Sequence, residues 1–352
     1  MSRRNRLASL LHHTGLVRAA LAWRSSVPAQ WVSILTYHRF PSARGDESFD
    51  DDVVDVTVDS FDRQVACLKR HFTLVGVDEL CAFAAGKALP PNAVAITFDD
   101  GYLDNYEQAL PILRRHDAKA IFFVPTGSLS DRKLHWWDRV SYVLKRCPLS
   151  SLTLSYPFAL ELSLDNRPLA AQRILRILKT HPGLDLERFL NELAFHARVA
   201  WSDRTERDFA DRLLMTWDHA RALRAAGMDV QSHTRTHRVL STLTPADLLD
   251  ELAGSRADIG RELGEPARAV AYPVGNQLDS GSPIRAALAE AGYEIGLSSG
   301  SGANLINEPV DRFNLRRQAV DLHVSEAYLL AMLAMPALAQ RRARAGEVRL
   351  GS

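Results

Sequence analysis

The sequence predicts an α/β chain, a distorted (β/α) barrel carrying a mainly helical insertion, and three features predict it. From Trp31 onward, short runs of β-branched or aromatic residues alternate with segments of helical periodicity, the pattern of β/α units around a largely parallel sheet. Eight such runs can be read, enough to close a barrel. The alternation then breaks for the 88 residues from Ser128 to Met215, which separate two units that a single helix would join.

At the N-terminus, Arg3, Arg4 and Arg6 precede Leu7 to Leu11 as in the start of a signal peptide, but His12 and His13 end the apolar stretch and no small-residue cleavage site follows. Leu7, Leu10, Leu11, Thr14, Val17 and Leu21 recur at helical spacing instead, with Arg6, Arg18 and Arg24 available to a polar side. Residues 1–30 therefore read as one amphipathic helix that either packs on the main domain or lies on an anionic membrane surface. The barrel is expected over 31–127 and 216–335. Its strands are read at Ser33 to Tyr37, Thr73 to Val77, Val94 to Phe98, Ala120 to Val124, Met228 to Gln231, Ala269 to Tyr272, Tyr293 to Leu297 and Leu315 to Val320. Helices are read at Ser60 to His71, Leu103 to His116 with a kink at Pro111, Trp217 to Ala226, Pro245 to Leu263 and Pro283 to Ala291. Thr244 and Ser282, each followed by Pro, are N-caps, while Gly227 and Gly292 are C-caps.

The insertion, 128–215, contains His135, Trp136 and Trp137, then alternating apolar positions from Leu152 to Leu164, then helical patterns near Leu169 to Leu178 and Leu186 to Ala197. That order reads as a hairpin followed by a helical cap. Residues 336–352, with Arg341, Arg342 and Arg344, read as a solvated basic tail.

Composition narrows the classes. A chain of 352 residues holds two domains or one large barrel with an insertion, and 46% hydrophobic with 24% charged residues is ordinary globular usage. Lys plus Arg total 43 against 42 for Asp plus Glu, so no general electrostatic drive toward nucleic acid exists. Cys67, Cys81 and Cys147 are odd in number and widely spaced, which fits buried thiols in a reducing compartment rather than a disulfide framework. No run reaches the ~18 apolar residues that span a bilayer. The expected location is cytoplasmic, peripheral at the inner membrane face if the N-terminal helix docks there.

Chemistry concentrates at strand ends. Ala95-Ile96-Thr97-Phe98-Asp99-Asp100-Gly101-Tyr102 runs an apolar strand into two adjacent carboxylates, where α/β folds build their sites. Like charges side by side repel, and a bound cation would stabilise one while leaving the other free as a base. The bland alternative is a turn with an Asp helix cap. Gln231 to His237 ends another strand, and two His four apart fall on one helical face, able to share a metal. Ala269 to Gly275 ends a third, where Pro273 and Gly275 shape a tight turn that can aim a backbone N–H into a site. Ile34 to His38 puts an imidazole at the end of the first strand, for a structural hydrogen bond or for catalysis. Gly300-Ser301-Gly302 lacks the strand, helix and third glycine of a dinucleotide site.

In combination, Thr97-Phe98-Asp99-Asp100-Gly101, His233-Thr234-Arg235-Thr236-His237 and Ala271-Tyr272-Pro273-Val274-Gly275 resemble the motifs of the polysaccharide deacetylases of carbohydrate esterase family four, the NodB-homology group. The resemblance covers Trp31 to about Val320 apart from the insertion. Tyr37-His38 and the Tyr-Pro-x-Gly turn look most like the poly-N-acetylglucosamine deacetylase branch. The resemblance implies a barrel of NodB-homology type and hydrolytic removal of acetyl from an N-acetylated amino sugar in a polysaccharide or glycan precursor. It implies Asp99 as general base, and Asp100, His233 and His237 as ligands of a divalent metal. One carboxylate and two imidazoles leave positions open for water and substrate, as catalytic zinc requires. In the implied reaction the metal acidifies a water, Asp99 takes its proton, hydroxide attacks the acetamide carbonyl, and the metal and the Val274 N–H hold the oxyanion.

Two departures from the family pattern stand out. Ala271 occupies the position where many members carry an Arg bonded to the base, an Arg also missing from the branch this chain looks most like. The late Leu-x-His that supplies the general acid has no counterpart, because Leu322-His323 has the wrong spacing. His38 is the candidate acid in its place. His135, Trp136 and Trp137 either stack on sugar rings or anchor the cap, and the insertion is expected to contribute substrate contacts rather than the metal site. The expected partners are an N-acetylated glycan and, through the N-terminal helix, a membrane surface, with no nucleic acid. Rival readings are a hydrolase of another amide on the same fold and a catalytically silent carbohydrate-binding homologue.

Overall fold

A computed structural model describes residues 3–26, 31–41, 49–50, 53–275, 277–300, 302–306 and 309–335. Its ten-stranded central sheet is built on β1 (Trp31–Tyr37), β2 (Ala93–Phe98), β3 (Ile121–Val124), β4 (Asp229–Ser232), β5 (Ala269–Ala271), β6 (Ile295–Ser298), β7 (Leu315–Arg316) and β8 (Gln318–Ala319), with Thr73–Leu74 parallel to β2 and Asn304–Leu305 antiparallel to β1 as short additions. Strands β1 to β7 pair in chain order, all parallel, and β8 returns to pair in parallel with β1. Leu315 pairs with Leu297 and Gln318 with Leu35, so the short segment around Arg317 carries the chain from the last strand back to the first. The expected strand Leu315 to Val320 is thus two short ones, broken at Arg317 where the pairing partner changes.

Side chains alternate across the strands with period two. Val32, Ile34, Ala93, Ala95, Ile121, Phe123, Ala269, Ala271, Ile295, Leu297 and Leu315 form one buried cluster, the barrel interior. The opposite parity, including Leu35, Ile96, Phe98, Phe122, Val124 and Val270, packs under the surrounding helices. Burial on both faces explains why the strands read as continuous apolar runs. Helix Val77–Ala84 belongs to the interior cluster and covers the N-terminal mouth, its Val77 N–H donating to Asp229 at the start of β4. The expected strand Thr73 to Val77 shrinks to Thr73–Leu74 because this helix begins there: the Glu79 carboxylate accepts the Gly76 N–H and acids fill the first turn.

Two expected helices contain wide turns. A π-helical turn, Asn105–Ala109, precedes Leu110–Arg115, so the missing N–H of Pro111 is absorbed by a slip in register. Pro245–Leu249 and Ser255–Leu263 flank a second π turn, Asp250–Gly254. The single N-terminal helix expected over 1–30 is instead two, Arg3–His13 and Leu16–Ser26, separated at Gly15, whose φ of +79° a helix does not accept. Arg24, expected on a polar side, is buried and donates to the carbonyls of Leu333, Trp31 and Ala93. Among the described residues no helix is long and apolar enough to cross a membrane.

Residues 136–214 gather around a separate apolar cluster that includes Val140, Leu152, Leu162, Ile174, Phe189 and Leu193. The hairpin Ser151–Leu154 with Leu160–Ser163 is joined by helices Trp136–Arg146, Arg167–Thr180, Leu186–His196 and Asp203–Leu213, the first and last of which the sequence reading missed. The three cysteines are free and buried. The basic tail, 336–352, lies outside the described residues.

Candidate metal centre and active site

Asp99 continues the interior parity of Ala93, Ala95 and Thr97 beyond the end of β2, so its carboxylate enters the barrel mouth. Asp100 turns the chain at φ +71°. Its buried Oδ1 has no hydrogen-bond partner and lies 3.2 Å from His233 Nε2 and 3.3 Å from His237 Nε2. The Nδ1–H of His233 donates to the Ala271 carbonyl at 2.8 Å, which leaves the Nε2 lone pair facing Asp100. One buried carboxylate oxygen without a donor and two imidazole nitrogens, all within 4.8 Å of one another, fit a divalent cation. Burial works against ionisation of Asp100, yet positive charge on His233, His237 and His38 outweighs it and holds the carboxyl well below the usual range, as a cation held by Asp100, His233 and His237 would.

The two histidines do not share a helical face as the spacing predicts. They stand on a loop in which Thr234 and His237 take φ of +64° and +56°, and Glu251, on the second π turn, accepts the N–H groups of Arg235 and Thr236 at 2.8 Å each. Of the eight described non-glycine residues with positive φ, four are Asp100, Thr234, His237 and Val274. Strained backbone therefore concentrates at this rim, where the surrounding hydrogen bonds must enforce it.

Arg317 Nη1 donates to Asp99 Oδ1 at 2.7 Å. Both side chains are buried, and Arg317 shares the interior parity of Leu315. Burial raises the Asp99 pKa, but Arg317 and His233 prevail and hold it below the ordinary value. Arg317 was missed, and the one signal for it was a charged residue at interior parity within an expected strand.

Asp99 Oδ2 lies 4.0 Å from His38 Nε2. The Asp55 carboxylate accepts both the His38 backbone N–H and its Nδ1–H, each at 2.7 Å, so Nε2 faces the pocket. Burial lowers the His38 pKa, but the Asp55 hydrogen bond and the charges of Asp100, Asp55 and Asp99 push it up to about 9. Asp55 was also missed, because no motif marks it. His323 lies elsewhere, exposed, with its carbonyl accepting the Asn5 amide.

The aromatic trio is buried. Trp136 Nε1 donates to the His237 carbonyl at 3.1 Å, and the Trp137 ring lies 4.4 Å from the His237 ring. Trp137 Nε1 donates to Tyr102 Oη, which donates to Asp138, each at 2.8 Å. His135 Nε2 donates to the Asp100 carbonyl at 2.9 Å, with burial pushing its ring pKa down to about 3. The insertion supplies none of the three prospective ligands but buttresses two of them, a supporting role beyond the expected substrate contacts. Both tryptophans also line the pocket, with Leu175 and Lys179 from the same insertion.

The pocket has a volume of about 280 Å³ and brings together His38, Asp99, Asp100, His233, His237 and Val274. Val274, at φ +63°, is 37% exposed at the rim. The next residue must be glycine, since a Cβ on Gly275 would meet Ser299 Oγ at 1.8 Å.

Residues 86–296 match the family model for polysaccharide deacetylases. YxkH of Bacillus subtilis (strain 168) is 23% identical over 210 residues, 60% of this chain but 46% of that protein, so the chain spans less than half the length of this curated relative. Among solved structures the chain is similar to the Streptococcus pyogenes deacetylase PplD in complex with acetate, at TM-score 0.57 and 19% identity over 87% of this chain and 99% of that one. It is also similar to IcaB from Ammonifex degensii, at TM-score 0.51 and 18% identity over 87% and 98% of the two chains. At these identities the likeness is one of fold.

Proposed function

The chain belongs to the polysaccharide deacetylase family, and from that premise we propose that it hydrolyses the N-acetyl group of an amino sugar in a polysaccharide or glycan precursor. The observation that carries this reading is the opposition of Asp99 and His38 across 4.0 Å, beside the Asp100, His233 and His237 cluster. Asp100, His233 and His237 would hold a divalent cation, zinc by the donor set, and that cation would acidify water and polarise the acyl oxygen.

The chain's own residues divide the proton transfers. Asp99, kept ionised by Arg317, accepts the proton of the attacking water. His38, kept protonated by Asp55, delivers a proton to the departing amine, which would otherwise leave as a poor anion. The backbone N–H of Val274 at the rim serves as the oxyanion donor. This pairing also disfavours a silent carbohydrate-binding homologue, because a base and a charged imidazole are both buttressed. The start Tyr37-His38 supports a poly-N-acetylglucosamine-like substrate.

Acetate release from chitooligosaccharides and poly-N-acetylglucosamine, before and after chelation, tests the proposal. Release that is lost with chelator and restored by added divalent metal is expected. No release from any N-acetylated glycan in the metal-loaded protein would overturn it.

A further inference from the structure

None of the residues that line the pocket lies on the two N-terminal helices, which expose an apolar surface. Of the ten large apolar side chains exposed among the described residues, Leu7, Leu10, Leu16 and Trp23 lie on these helices, at 50%, 60%, 54% and 55% exposure. A fifth, Leu322, adjoins His323, whose carbonyl accepts the Asn5 amide of the first helix. The opposite side of the helices is used for packing: Ala8, Val17 and Leu21 are buried in the cluster that includes helix Glu326–Ala334. Leu7 and Leu10 are three apart on the first helix, and Leu16, Ala19 and Trp23 follow one another at helical spacing on the second, so on each helix the exposed apolar residues fall along a stripe on one side.

Charge says what fits this stripe. No Asp or Glu precedes Asp46 in a chain whose totals are otherwise balanced at 43 basic and 42 acidic residues. Arg6, His13 and Arg18 are exposed on the same two helices, and Arg18 and His12 act electrostatically on His71 together with Arg70 of the neighbouring helix Val58–His71. Glu326 acts on the same His71 in the opposite sense. Two helices of 11 residues each are too short to cross a bilayer and suited to lie on it. The chain's own tail is a poor occupant, because 336–352 carries four Arg against one Glu and shares the helices' sign.

We propose that this flank docks on the surface of an anionic phospholipid bilayer, with Leu7, Leu10, Leu16 and Trp23 entering the headgroup boundary and Arg6 and Arg18 meeting lipid phosphates. Tryptophan suits that boundary because its ring is apolar and its N–H is not. Attraction between the arginines and anionic lipid falls as salt screens it.

Co-sedimentation of the full chain with vesicles of phosphatidylcholine alone or mixed with phosphatidylglycerol, at low and high salt, tests this independently of the deacetylase reading. Binding to the mixed vesicles at low salt is expected, weakened by salt and weak on phosphatidylcholine alone. Leu10→Asp with Trp23→Ser should reduce binding about tenfold or more, and Arg6→Glu with Arg18→Glu should remove its dependence on anionic lipid. Both double variants should keep their far-ultraviolet dichroism, metal content and acetate release from a soluble oligosaccharide. Phe195→Ser, on the insertion and 78% exposed, should leave binding unchanged. The proposal is overturned if the full chain does not sediment, if the Leu10 and Trp23 changes act no more strongly than Phe195→Ser, or if deleting 336–352 alone abolishes binding. A dimer in light scattering that dissociates on Trp23→Ser, without vesicle binding, would assign the stripe to a second copy and overturn it equally.

Discussion

Arg317 reaches Asp99 at 2.7 Å from the break between the strand pairing β6 and the strand pairing β1. Ala271, at interior parity on β5, is too small to reach Asp99, and the partner of the base comes instead from the segment that brings the barrel round to its first strand. The segment whose backbone pairing closes the sheet onto its first strand thus also supplies the side chain that orients Asp99.

Arg317→Met should expose that dependence. The depressed pKa of Asp99 keeps it ionised at low pH, and its activity as a base is lost as pH falls through that pKa. Without Arg317 the pKa rises, so the acid limb of the kcat/KM profile should move to higher pH, while Arg317→Lys should move it less. Leaving a buried carboxylate unpaired should also cost about 3–5 kcal/mol of stability, measured by denaturant unfolding. An unchanged acid limb would reduce Arg317 to a structural role.

The alkaline limb should belong to His38. Its raised pKa, about 9, means that the imidazolium is present below that value and lost above it. Asp55→Asn removes the hydrogen-bonding carboxylate, so the alkaline limb should move to lower pH with little change in metal content. His38→Ala should lower kcat by about 10² to 10⁴ at neutral pH. Equal profiles for the wild type and Asp55→Asn would dissociate the limb from this pair.

Trp137→Ala should weaken metal retention, because the indole packs on His237 and bonds Tyr102. Turnover of a single N-acetylated sugar and of oligomers should then fall together. Lys179→Ala, on the cap and exposed at the pocket, should spare metal and affect oligomers more than the single sugar. Loss confined to oligomers in Trp137→Ala would restore the simpler role of a sugar platform.

The parallel sheet, the four strand ends and the cluster of Asp99, Asp100, His233, His237, Val274 and His38 were legible because each sits in, or just beyond, a short run of β-branched, apolar or aromatic residues bounded by helical patterns. What escaped was set by tertiary contacts. Arg317 is identified by a change of strand partner, and Asp55 by a return of the chain to His38. The His-x-x-x-His spacing invited a helix, but the left-handed turns at Thr234 and His237 are enforced from Glu251, which lies 14 residues beyond His237 in the sequence. Gly15 divided the N-terminal helix where apolar periodicity ran on across it.

The division of labour between the adjacent carboxylates is tested most directly by measuring bound metal and acetate release side by side in Asp99→Asn and Asp100→Asn. Asp99→Asn keeps all three ligands, so metal should stay bound while turnover falls by about 10² to 10⁴. Asp100→Asn loses the anionic ligand, so metal affinity and turnover should fall together and added metal should restore part of the activity. Loss of metal from Asp99→Asn with retention in Asp100→Asn, or acetate release unaffected by either change, would contradict the assignment.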